Sequence, residues 1–476
     1  MNTESAVLRE ISDLPGPRGL PLLGNAHQIE LAHMHQIVER WTRKYGRLFR
    51  FKLGARAFLV VSDHEAVAAM LRDRPEGFRR TVRLEHVAKE MGLAPGVFGA
   101  EGEAWRRQRR MVMAGFDPAH IKAYFDSLMK VTQRLHGRWQ KAARAGSAIE
   151  LQPDLMRFTV DAIAGLAFGA DVNTLESDAD VIQRHLDKIF PALFRRAMAP
   201  FPYWRYIRLP ADRRLERSMT AVNAAIEGFI AQARERMLAD PSLGEHPRNL
   251  LEAMLVAADR SDSGVSDREV AGNVVTMLLA GEDTTANTLA WMIHLLHRNP
   301  ETLRRAQEEV RRVAANPAAY SFEQMGRLDY VEACAHETMR LKPVAPLLIL
   351  QALRDTVIAD VRVPADTVVW GVMRHDSMED RYFPNAAAFD PRRWLGEGGP
   401  TQAANSAKRV SMPFGAGPRL CPGRNLALLE MKMAMAMLLG RFDIESVETP
   451  RAAEAEEHLS FTMAPVGLRM RLRERA

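Results

Sequence analysis

The stretch Phe414-Gly415-Ala416-Gly417-Pro418-Arg419-Leu420-Cys421-Pro422-Gly423 restricts this chain more than any other part of it. It sets a single cysteine on a glycine-rich turn, directly ahead of a helical pattern over 422–439. Proline suits the first position of a helix, where a missing N–H costs nothing. A sulfur at such a point meets unpaired backbone N–H groups and the positive end of the helix dipole, and both favour thiolate over thiol. Gly415 and Gly417 allow a tight turn and the close approach of a flat ligand. A lone Cys-x-Gly is more often an inert buried cysteine. The full spacing Phe-x-x-Gly-x-Arg-x-Cys-x-Gly is far more specific.

The only other cysteine is Cys334, so with Cys421 set aside as a ligand no disulfide remains, as suits a reducing cytoplasm. Two cysteines without a tight histidine cluster argue against structural zinc. His27, His33, His35, His64, His86 and His120 show no ligand-like spacing. The 476 residues contain no linker, repeat or low-complexity tract, so one domain over 15–476 behind a flexible tail at 1–14 is expected. That tail has neither the apolar length of a membrane span nor the order of a signal peptide, which predicts a cytoplasmic protein without an anchor. The net charge is +6, but the basic residues are scattered and form no nucleic-acid module. A basic face for an acidic protein partner is the better use of the surplus. Ten of the sixty-five basic residues are lysines, a bias that hints at a GC-rich bacterial genome.

Periodicity predicts helices at 33–45, 63–71, 104–113, 121–143, 155–168, 179–196, 211–238, 267–298, 300–314, 330–342 and 422–439. Strands are expected at 48–53, 57–61, 355–363 and 367–372, with small hairpins in 441–472. The fold class is therefore mainly α with small β-sheets. The stripe Met431, Met433, Met435 and Met437 reads as core packing.

Three further constellations stand out. At about 48 Å, Asp267–Arg298 is long for a globular helix. At its centre, Ala280 and Thr284 share a face, small Ala280-Gly281 leaves room for a ligand, and a mid-helix threonine can bond back to the i−4 carbonyl. Alone, this is an amphipathic core helix with a tolerated glycine. Glu337 and Arg340 stand three apart on a helix, a spacing that usually means a solvated surface pair. Trp105 and Arg109 share a face of a helix that also carries Arg106, Arg107 and Arg110, and a basic surface helix is the plain reading of the last three.

Taken together and in this order, these motifs resemble the cytochrome P-450 family from about residue 15 to 470. The resemblance implies the single-domain fold of that family and haem b (iron protoporphyrin IX) as cofactor. A thiolate is one of the few side chains that can hold haem iron. Cys421 then matches the axial ligand, with Gly423 and the shielding Phe414 in the same loop. Trp105, Arg109 and Arg419 match contacts to the haem propionates, and Ala280 the helix face above the macrocycle. Thr284 and Asp283 match the alcohol and acid that deliver protons for O–O cleavage. Glu337, Arg340 and Arg393 match a buried cluster that supports the cysteine loop, although the family more often has glutamate where Arg392 stands.

The resemblance also implies a monomeric monooxygenase that hydroxylates or epoxidises a lipophilic substrate with O2. Electrons would come from NAD(P)H through a separate ferredoxin- or flavodoxin-type donor, since 440–476 is too short for a reductase domain. Met277, Val344, Leu347, Leu348, Phe461 and Met463 are the expected pocket residues. Arg56, Arg80, Arg83 and Arg195 lie near the expected entrance and would suit a carboxylate, so a fatty acid leads as substrate, followed by terpenoid, steroid or polyketide scaffolds. A haem-thiolate isomerase, dehydratase or peroxygenase is the alternative, opposed by the presence of Asp283-Thr284. A haem sensor would need a signalling or DNA-binding module, and none is visible.

Overall fold

The computed structural model describes residues 8–177, 182–316, 319–396, 404–451 and 454–475. Helices dominate, and the largest sheet has five strands. Leu48–Leu53 and Arg56–Val61 form an antiparallel hairpin, and Val368–Val372 runs parallel to its second strand. Leu347–Ala352 and Phe78–Arg80 extend the sheet antiparallel. A strand from early in the sequence thus pairs with one about 300 residues later, which ties both ends of the chain into one body.

The central helix, Asp267–Arg298, has the predicted bounds. Its start is fixed by a capping box in which Ser266 and Glu269 satisfy each other's backbone N–H, and its last turn carries His297 and Arg298 at the negative end of the dipole. It is apolar on most of its circumference because helices surround it. Gly281 lets Leu151–Phe168 cross it closely: a Cβ there would lie 3.1 Å from Ile163. This glycine therefore serves helix packing and not the ligand space expected of it.

Other departures have local causes. The final helix starts at Arg424, two residues after Pro422, because the backbone is still closing the cysteine loop at Cys421, whose N–H donates to the carbonyl of Phe414 at 3.0 Å. The helix expected at 121–143 is two, Pro118–Ala123 and Phe125–Arg144, meeting at Tyr124. The one expected at 179–196 is Ile182–Leu186 followed by Ile189–Met198, here called the roof helix; residues 179–181 lie outside the described residues. The helix Val82–Glu90 has Val87 as its one buried residue and so shows no apolar stripe to read. Residues 1–7 of the expected tail also lie outside the described residues, but from Arg9 on the chain is anchored. Arg9 exchanges backbone hydrogen bonds with Asp360 and Arg362 and pairs its guanidinium with Asp360, and Leu14 is buried in a side cluster of the core. The methionine stripe 431–437 is buried, as predicted. Among the described residues no helix is long and apolar enough to cross a membrane.

Candidate haem site

The cysteine loop depends on a glycine at one position above all. Gly417 has φ +69°, and a Cβ there would lie 2.5 Å from the carbonyl oxygen of Leu71. Gly415 also has positive φ, but no atom lies within 4 Å of where its Cβ would be, so the loop is open on that side. The Gly423 N–H bonds the Cys421 sulfur and, with the charges of Arg109 and Arg424, favours thiolate; burial outweighs them and pushes the thiol's pKa up. The N–H support expected for the thiolate is thus present, at Gly423, and it is smaller than the cost of burial. Both cysteines are free.

Beside the loop, four guanidinium groups interact around Arg419, whose charge is felt by Arg80 and which itself feels Arg74 and Arg109. Arg419 lies over the Trp105 ring, 4.7 Å from its centre, and donates to the carbonyl of Ala100 at 2.8 Å. It also pairs with Glu101, yet its Nε is buried with no partner. Arg74 is 2% exposed, 3.6 Å from Glu101, with Nε and Nη2 both unpartnered. Arg80 stacks on the Phe98 ring at 3.4 Å and donates to the Phe98 carbonyl. Arg109 donates to the carbonyl of Leu420 at 2.7 Å. Burial, then mutual repulsion, holds Arg80 well below the usual range and brings Arg419 down to about 10; burial lowers Arg74 and Arg109 as well. Glu101 is the carboxylate that offsets them. Such a cluster is built for a dianion. The sequence pointed to Trp105, Arg109 and Arg419, missed Arg74 and Glu101, and set Arg80 at the entrance instead of in this cluster.

On the central helix, Ala280 is exposed between buried Leu279 and half-buried Gly281, and Asp283 and Thr284 are half-buried. Thr284 Oγ1 donates to the Ala280 carbonyl at 2.7 Å, the back-bond expected of it. Asp283 accepts from Asn287 at 2.7 Å and from the Thr462 hydroxyl. Burial raises its pKa, and these two bonds partly offset that.

Glu337 and Arg340 are not a surface pair. Both are buried, joined at 2.8 and 2.7 Å, and Arg393 reaches Glu337 at 3.3 Å. Arg392 instead pairs with Asp390 at the surface, which settles which of the two arginines joins the cluster. Trp394 Nε1 also donates to Glu337, at 2.9 Å, and its ring stacks on His336, which meets Phe414 edge-on. The cluster thus touches the cysteine loop through His336, a link the sequence did not reveal.

The expected pocket residues divide. Phe461 stacks on Phe190 of the roof helix, with centroids 4.4 Å apart, and is tilted against Phe98 at 5.9 Å. Leu347 packs on the main core, whereas Leu348, on the opposite face of the same strand, joins the side cluster with Val67 and so leaves the set. Met463 is fully buried, Met277 nearly so, and the Val344 carbonyl accepts from the Met463 N–H. Arg83 is committed to the carbonyls of Ala197 and Ala199 at the end of the roof helix, and Arg56 donates to that of Asp366. Arg195 is exposed. A carboxylate–histidine group at Asp63, His64 and Asp376 is closed by Arg47, which pairs with both aspartates.

A cysteine sulfur with a backbone N–H and two arginine charges beside it, a loop open at Gly415, and a cluster of four arginines offset by one glutamate fit an iron porphyrin with its propionates. Comparison with known proteins agrees. The profile of the family described as Cytochrome P450 matches residues 14–471. The chloroplastic protein Lutein Deficient 5 of Arabidopsis thaliana is 27% identical over 409 residues, 84% of this chain and 68% of that one. Carotene epsilon-monooxygenase, chloroplastic, of the same plant is 28% identical over 425 residues, covering 86% and 76%. A self-sufficient cytochrome P450 monooxygenase of Aspergillus niger is 28% identical over 98% of this chain, which spans 42% of the fungal one. A crystal structure of the cytochrome P450DA heme domain superposes with a TM-score of 0.84 over 99% of both chains at 24% identity, a likeness of fold. These plant and fungal relatives lend no support to the bacterial origin hinted at by composition, and the chloroplastic names among them do not match the expected cytoplasmic site. With the family profile spanning nearly the whole sequence, the chain belongs to the cytochrome P450 family of haem-dependent monooxygenases.

Proposed function

We propose that this protein binds haem b through Cys421 and inserts one oxygen atom of O2 into a lipophilic substrate, the other leaving as water at the expense of NAD(P)H. The observation that carries the reading is the unbalanced cluster of Arg74, Arg80, Arg109 and Arg419 beside buried Cys421. When bound, the haem supplies the redox chemistry that activates O2. The protein's own groups do the rest. Cys421 would hold the iron, and Arg74, Arg80, Arg109, Arg419 and Trp105 would hold the propionates. Gly423 N–H and Phe414 tune the sulfur. Glu337, Arg340 and Arg393 fix the loop. On the central helix, Asp283 would carry protons and the Thr284 hydroxyl would hand them into the pocket, while the apolar lining keeps bulk water out.

The Phe190 ring stacked on Phe461, with Phe98 tilted against it, favours an extended unsaturated substrate over a fatty acid, since Arg83 and Arg80, two of the arginines considered for a carboxylate, are already engaged. A terpenoid-type substrate therefore moves ahead, in line with a carotene monooxygenase among the relatives. Electrons would come from a separate acidic donor, with exposed Arg110 and Arg424 near the cysteine loop as its docking charges. The test is the reduced carbon monoxide spectrum: the red-shifted Soret band of thiolate ligation in the wild type and its loss in Cys421→Ala. The same band in the mutant sinks the reading. Titrating the ferric protein with cyclic terpenoids and with saturated fatty acids then ranks the substrate classes.

A further inference from the structure

The carboxyl group of Asp283 is held on both oxygens. One accepts from Nδ2 of Asn287 at 2.7 Å, and the Asn287 amide is itself oriented by Gln152, whose Nε2 donates to its Oδ1 at 3.1 Å. The other accepts from the hydroxyl of Thr462, which reaches over from the turn between the strands Glu457–Leu459 and Met463–Pro465. Thr462 is 6% exposed, so its hydroxyl has little access to water as a substitute partner.

The residue before Thr462 is Phe461, with φ +103°, a region that bulky side chains rarely enter. Such a conformation persists only where the surroundings impose it. Here the turn is closed by the Ser460 N–H donating to the Thr462 carbonyl at 3.0 Å, and the ring is held by Phe190, stacked with 9° between the planes, and by Phe98, tilted at 55°. The position of this ring and the direction of the Thr462 hydroxyl are set by the same strained backbone. Anything lodged between the Phe461 ring and the roof helix would relax that backbone and turn the hydroxyl away from Asp283.

We propose that Thr462 is a positioning residue that holds the Asp283 carboxyl back from proton transfer until an occupant of the pocket displaces the Phe461 ring. The proposal rests on the reading of Asp283 as the proton carrier. The hydroxyl donates to the carboxylate and so stabilises its ionised form. Release removes that support and raises the proton affinity of Asp283. The other groups around it do not reverse this sign. Glu282, next to it on the central helix, is buried and forms a carboxyl pair with Asp187 at the foot of the roof helix; the charge of Asp283 raises both members of that pair, while Asn287 supports the ionised Asp283 as Thr462 does. An empty pocket would therefore keep the acid tied and its proton affinity lower, sparing reducing equivalents, and a filled one would free it and raise that affinity.

The experiment is infrared difference spectroscopy of the ferric holoprotein across pH, with Asp283→Asn identifying the carboxyl band. In Thr462→Val the midpoint of that band moves to higher pH and no longer responds to substrate, and NAD(P)H consumption without substrate rises several-fold. Thr462→Ser keeps the hydroxyl and behaves like the wild type. Phe190→Leu, which removes the stacking partner and spares Thr462, shifts the midpoint as Thr462→Val does. A wild-type midpoint in Thr462→Val overturns the tether, and a wild-type midpoint in Phe190→Leu overturns its link to the ring. If Asp283→Asn leaves product per NAD(P)H unchanged, the proton-carrier reading fails instead, while the infrared shift still reports whether Thr462 holds the carboxyl.

Discussion

Arg340 grips both carboxylate oxygens of Glu337, Nε to Oε2 at 2.8 Å and Nη2 to Oε1 at 2.7 Å, although neither side chain is open to solvent. The remaining capacity of the pair is spent on the chain around it. Arg340 also donates to the carbonyls of Ser377 and Ala388, and Glu337 also accepts from the Asp390 N–H, Arg393 and Trp394. A buried ion pair so fully bonded orders three backbone segments at once.

Removing one member strands the other in a place it cannot leave, at a cost of roughly 3–5 kcal/mol. Glu337→Ala and Arg340→Ala should each express with little haem and melt well below the wild type. Haem content by pyridine haemochrome and thermal melting check this. Normal values in both would reduce the pair to an ornament.

The arginine cluster makes a prediction of opposite sign for the two forms of the protein. Arg74 is buried near Arg80 and Arg419, with two nitrogens that make no hydrogen bond, and Glu101 keeps Arg419 as a partner without it, so Arg74→Met should leave the haem-free protein as stable or more stable. In the loaded protein the same change removes a charged hydrogen-bond donor from the propionates, worth about 1.5–3 kcal/mol. Haem transfer to apomyoglobin should then be about tenfold faster or more. An unchanged transfer rate would take Arg74 out of the site.

Glu430 gives a pH prediction. It is buried on the final helix, Arg424–Arg441, with Thr285 of the central helix as hydrogen-bond partner, and burial raises its pKa from 4.5 to about 8. Between those two values the unfolded chain has lost the proton and the folded one keeps it, so stability falls as pH rises through that window. Above about pH 8 both states are ionised and the loss is complete. At about 1.4 kcal/mol per tenfold change in proton affinity, the whole window is worth at most about 5 kcal/mol. Glu430→Gln should flatten the decline in urea midpoints from pH 5 to about 8 and be the more stable protein at the upper end. Parallel curves for the two proteins would place the titration elsewhere.

The central helix was legible because its signals are local: a capping box at Ser266, thirty residues of helical pattern and basic residues at its end. The cysteine loop was legible from spacing. What stayed hidden depends on partners far off in sequence. Arg74 looks like any surface arginine until the fold sets it against Arg419, and Glu101 has meaning only beside both. Gly281 read as ligand space because nothing in the sequence tells which residue crosses there; Ile163 does. Leu347 and Leu348 looked equivalent in an apolar run, and only strand pleating sends them to opposite faces. Thr462 carried no signal at all, since its value lies in an oxygen of Asp283, 179 residues earlier.

Thr284→Ala separates oxygen insertion from the other haem-thiolate chemistries. The Thr284 hydroxyl spends its proton on the Ala280 carbonyl one turn back, which leaves its oxygen lone pairs toward the open face of the helix. On the proposed reading the hydroxyl turns from that carbonyl, accepts a proton from the Asp283 side and passes its own into the pocket, a task that a methyl group cannot perform. The variant should still bind haem and substrate, and it should still accept electrons, because none of these needs the hydroxyl. What it should lose is coupling. General acid–base assistance is typically worth 10²–10⁴ in rate, so product per NAD(P)H should drop by about tenfold or more while peroxide accumulates. Asp283→Asn should slow turnover more than it alters binding. The measurement is product, peroxide and NAD(P)H followed together in wild type and both variants. Unaltered coupling in Thr284→Ala would remove this helix from proton delivery, and isomerase or peroxide-driven chemistry would then account better for the site.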